Sequence, residues 1–110
     1  MKKTVKYKAS GLVFGNYWGG GKGSYKAESL ISETKEDLIK QINEGIANGS
    51  LDSGMGYESL KGAIMDIITI TTIIHEGKPY INEETETELF GNLNEQEQEF
   101  LENAYDHVSY

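Results

Sequence analysis

The chain has 110 residues, no cysteine, 37% hydrophobic residues and a formal net charge of −8. That length suits a single domain over residues 1–110 with one modest core, and the lack of cysteine excludes disulfides, thiolate metal sites and a cysteine nucleophile. Residues 1–40 carry eight lysines against four acids, whereas 41–110 carry two lysines against fourteen acids.

No arginine occurs. Arginine is the preferred side chain for bidentate phosphate and guanine contacts, so direct binding to nucleic acid is disfavoured. Lys6 and Lys8 interrupt any signal-peptide core after Met1. The longest apolar region, Ala63 to Ile74, contains Asp66 and threonines and is too short and too polar to span a bilayer. A cytoplasmic protein with no membrane contact is the expectation.

Thr4 to Phe14 alternates, with Val5, Tyr7 and Ala9 opposite Lys6, Lys8 and Ser10, as a half-buried strand requires. Gly11 reads as a bulge. Gly15 to Tyr25 combines five glycines with Tyr17, Trp18 and Tyr25, and reads as a long connection to a return strand over Tyr25 to Ile31. Thr34 and Asp37 then have capping-box spacing, and Leu38, Ile39, Ile42 and Ile46 form a helical stripe that Asn48-Gly49 ends.

A second flexible stretch, Ser50 to Tyr57, precedes a short helical turn over Glu58 to Ala63. Ile64 to His75 bears isoleucine on both alternating faces and predicts a central strand. Glu76-Gly77-Lys78 reads as a tight turn, and Tyr80 to Phe90 alternates again. The last helix begins at Asn94, with Glu97 as its capping partner and an apolar face of Phe100, Leu101, Ala104, Tyr105 and Val108. The elements predict an α+β fold: an antiparallel sheet of about four strands in ββαββα order, with both helices packed on one face.

No residue pattern supports catalysis. His75 and His107 are the only histidines, and no Gly-x-Ser-x-Gly elbow occurs. The Gly-rich stretch fails the phosphate-loop pattern, because Gly21-Lys22 is followed by Gly23 and Asn16 stands where the first glycine belongs. A non-enzymatic binding protein without metal or cofactor is therefore expected. Its candidate contact residues are Tyr17, Trp18, Lys22, Tyr25 and Tyr57, which supply aromatic anchors beside glycine, and Glu84, Glu86 and Glu88, which project from one face of a strand. The acids would attract a basic groove such as one that normally holds nucleic acid. Two other readings stay open: a nucleotide-binding or sequestering protein using the Gly-rich loops, and an immunity-type interaction domain.

In size, in the acid-rich stretch from Glu83 to Asp106 and in the absence of enzyme motifs, the chain resembles small acidic proteins of bacterial viruses and mobile elements, the anti-CRISPR proteins among them. The resemblance covers the whole chain in general character and rests on no motif. It implies a protein partner, a basic nucleic-acid-binding effector nuclease, met in the cytoplasm of a bacterial host cell. Exposed strand edges and opposite charges also allow a homodimer.

Overall fold

Two long strands set the architecture. In the computed structural model, which describes residues 2–53 and 57–107 but not the side chains of Tyr57 and Glu58, β1 (Lys2–Tyr17) and β4 (Tyr57–His75) pair antiparallel along nearly their whole length. Around them lie β2 (Lys22–Lys26), β3 (Leu30–Ser32), α1 (Lys35–Asn48), β5 (Lys78–Gly91) and α2 (Glu95–His107). The sheet order is β2-β1-β4-β5, with β3 pairing Tyr7 to Ala9 of β1 beyond the end of β2. β4 is central, and the turn from it into β5 is made by Glu76 and Gly77, both at positive φ.

The expected ββαββα arrangement is corrected to βββαββα with five strands. The two helices also lie on opposite faces of the sheet. Register decides this. Between Lys2 and Phe14 the β1–β4 ladder is unbroken, so side chains alternate strictly between faces. Leu38, Ile42 and Ile46 of α1 pack with Ala9, Val13, Ala63, Met65 and Ile67. Leu101 of α2 packs with Leu12, Phe14 and Ile64, the intervening residues of the same strands. Phe100 adds an edge-to-face contact with Phe14, ring centroids 5.7 Å apart. A three-layer α/sheet/α body results.

Other expectations change with it. The segment 58–63 continues β4, because Ser59 and Leu60 pair with β1 and Gly62 pairs with Phe14 and Gly91. The return strand is split: β2 is already formed by Lys22, Ala27 donates its N–H to the Gly11 carbonyl of β1 and bridges Asp52, and β3 resumes at Leu30. Gly11 is no bulge. A Cβ there would stand 1.9 Å from the Ile64 carbonyl oxygen, so the glycine permits close backbone approach inside a regular ladder. Gly45, a weak point for an isolated helix, leaves the space that the Leu51 side chain fills.

The helix ends follow the sequence reading. Thr34 Oγ1 accepts the Asp37 N–H at 3.1 Å, and Gly49 closes α1 at φ 77°. Asn94 and Glu97 bond reciprocally at 2.8 and 3.1 Å, the two halves of a capping box. Val108, expected on the apolar face of α2, lies outside the described residues.

The helices cover only part of the sheet. Beyond Tyr7, Thr69 and Glu84 the strands β1, β4 and β5 run on as a three-stranded blade with no helix of the described residues over either face, and the molecule measures 56 × 26 × 22 Å. No helix among the described residues is long and apolar enough to cross a membrane.

Candidate partner-binding surfaces

The Gly-rich stretch forms a hairpin connection of four residues, Trp18 to Gly21, and not a long loop. Gly15 pairs with Gly23 and Asn16 with Lys22, so the strands run through the glycines almost to the turn. The Tyr17 N–H bonds the Gly21 carbonyl at 2.5 Å and the Gly20 N–H bonds the Tyr17 carbonyl at 2.9 Å. These two donors are spent inside the turn. Trp18 stands at its corner, 78% exposed, and is the most exposed large hydrophobic residue among the described residues. The backbone of Tyr17 lies opposite that of Tyr57 at one end of the sheet, where Asn16 Nδ2 also donates to Ser59 Oγ at 3.1 Å, and Gly54 to Gly56 lie outside the described residues.

The other candidates at this end separate by face. Tyr25 pairs with Val13 on the α1 face. Lys22 is on the α2 face, where its Nζ is 3.9 Å from Glu97 Oε2. Lys61 Nζ approaches the same oxygen at 3.1 Å. Glu97 is only 6% exposed, and Oε2 makes no well-angled hydrogen bond, so proximity to the two ammonium groups is what compensates its charge. The Asn94 backbone bond, followed by the Lys61 contact, holds the Glu97 carboxyl below the usual carboxylate range. Lys22 thus stands beside the start of α2, with its side chain still half exposed.

The acidic candidates occupy a different region. Glu84, Glu86 and Glu88 pair with Thr69, Ile67 and Met65 and share the α1 face of β5, an edge strand. Glu86 Oε2 accepts from Lys35 Nζ at 3.1 Å, and that bond together with the Glu86 charge holds the ammonium above its ordinary pKa. Trp18 lies seven residues past Gly11, the β1 position level with Met65 and Glu88, which separates turn and acid row by roughly 24 Å at about 3.4 Å per residue. The structure does not unite the two sets in one patch.

It also shows a feature that the spacing of residues did not single out. A cleft of about 420 Å³ opens between β5 and α2, floored by Ile64 and Leu89 and bounded by Glu88, Glu102, Tyr105 and Asp106. Asp66, an acid inside an apolar run, accepts hydrogen bonds from Thr87 Oγ1 at 2.6 Å and from the Tyr105 hydroxyl. These bonds tie α2 to β4 and β5 across the cleft. The only sequence signal was an aspartate where the surrounding pattern demands isoleucine or threonine. Among the described residues, no group of three or more His, Asp or Glu side chains is placed to hold a metal ion.

Comparison with known proteins leaves the fold and these surfaces to speak for themselves: no protein-family model, no curated protein and no solved structure matches the chain.

Proposed function

We propose that the protein is a non-enzymatic inhibitor that binds a basic, nucleic-acid-handling effector of a bacterial cell, in the manner of an anti-CRISPR or similar anti-defence protein. One observation supports this reading above the others: acids of β5 and α2 gather on both faces of one sheet edge, with Glu102 and Asp106 beside the cleft on the α2 face and Glu84, Glu86 and Glu88 in a row on the α1 face. A field of one sign on an exposed edge raises the association rate with a basic groove and disfavours acidic competitors. Trp18, at the far end of the body, offers a second anchor to a partner large enough to span both regions.

The test is binding to, and inhibition of, a panel of purified RNA-guided effector nucleases at rising salt. The expected result is inhibition that weakens as salt screens the acids. The variant E84K/E86K/E88K should raise Kd at least about tenfold while its melting temperature stays near that of the parent. Salt-independent binding, or a triple variant that inhibits as well as the parent, would remove the acidic edge from the mechanism. Unchanged binding by Trp18→Ala would remove the turn.

A further inference from the structure

We infer that the outer edge of β5 is itself the docking element, and that the partner contributes a lysine- or arginine-bearing extended segment that joins the sheet beside it. This deepens the preceding reading and rests on it. β5 ends the sheet order, so every second residue of its 14 turns an N–H and a C=O away from β4 with no strand of the described residues to receive them. Its ladder with β4 runs from Gly62–Gly91 to His75–Lys78 without a bulge, and Lys78 through Thr87 are exposed.

Edge strands are usually protected against self-pairing by charged side chains, lysine above all, by proline, by bulges or by a covering element. β5 has Pro79 only at its second residue, and its long middle carries charge of one sign: Glu83, Glu84, Glu86 and Glu88. Glu83 lies on the α2 face and the other three on the α1 face. Such an edge repels the β5 of a second copy and accepts a strand that is basic on both faces. The cleft supplies the register. A strand beside β5 places alternate side chains on the face of Thr87 and Leu89, at the cleft mouth bounded by Glu102 and Asp106, where a cationic side chain is the complementary occupant.

The experiment titrates the intact protein with a twelve-residue peptide of repeating Lys-Lys-Thr-Thr, which as a strand is basic on both faces, and with the same peptide methylated on every backbone nitrogen. NMR-detected amide exchange is followed along β5. Strand addition requires that every second amide between Tyr80 and Glu88 slow at least about tenfold with the parent peptide, and that the methylated peptide bind at least about tenfold more weakly. If both peptides bind alike and no alternation appears, strand addition is overturned while the acidic-edge reading stands. If neither binds, both fall. Concentration-dependent self-association of the protein alone, abolished by E84K/E86K/E88K, would also overturn the inference by giving the edge to a second copy.

Discussion

The body and the blade share β1, β4 and β5 and the two ladders between them, yet they differ in what covers them. In the body, Ala9, Val13, Met65 and Ile67 lie under α1, and Leu12, Phe14 and Ile64 lie under α2. In the blade, Ile74 and Ile81 are exposed, the latter by 66%. Backbone pairing is common to both regions, so it cannot be what separates them. Burial does, at roughly 25 cal/mol per Å² of apolar surface removed from water. The body should therefore hold the global stability and the blade should open first.

Four experiments would break or sharpen that contrast. Gly11→Val should have the largest effect, because a side chain cannot fit against the Ile64 carbonyl without parting β1 from β4; circular dichroism is expected to show loss of the folded state, and a native-like melt would refute the close approach. Leu38→Ala and Leu101→Ala each remove a fully buried side chain, one per face. Urea unfolding should register about 2–5 kcal/mol for either, and a small loss for only one would show that the two faces contribute unequally. Thr34→Ala, which removes the α1 cap, should cost about 1 kcal/mol. Ile81→Thr in the blade should shift the midpoint by less than about 0.5 kcal/mol; a loss as large as that of Leu38→Ala would erase the distinction.

Acid sharpens the same contrast. The folded-state pKa of Glu97 is depressed by Asn94 and Lys61, and that of Asp37 by hydrogen bonds from Ser32 and Gln41. A depressed carboxyl contributes stability that is present above its unfolded pKa and lost as pH falls through the folded one. Both groups sit at helix starts in the body. Stability should fall below about pH 4.3, the unperturbed glutamate value, and Glu97→Gln should flatten that fall. An unchanged acid limb in this variant would exclude Glu97 as a contributor.

Local signals carried the sequence reading well. Thr34 with Asp37 and Asn94 with Glu97 marked both helix starts, and the isoleucines on both faces of 64–75 identified the central strand. Non-local facts were less legible. Glu58 to Ala63 contains good helix formers, but its pairing with the end of β1 overrides that preference. β3 has three residues, too few for a period to show. Leu12-Val13-Phe14 in fact announces two buried faces, since three consecutive apolar residues cannot all point one way from a strand. Of the candidate surface, the alternation of Glu84, Glu86 and Glu88 was readable. The approach of Glu102 and Asp106 to the β5 edge was not, because it depends on which face α2 chooses.

The two-residue turn at Glu76 and Gly77 closes the free end of the blade, remote from both helix caps and from the cleft. Because the strands pass unbroken from body to blade, this tip behaves as the end of a lever whose fulcrum is the helix-clamped sheet. A spectroscopic label at Glu76 would convert a few degrees of reorientation, on meeting a partner, into ångströms of measurable travel.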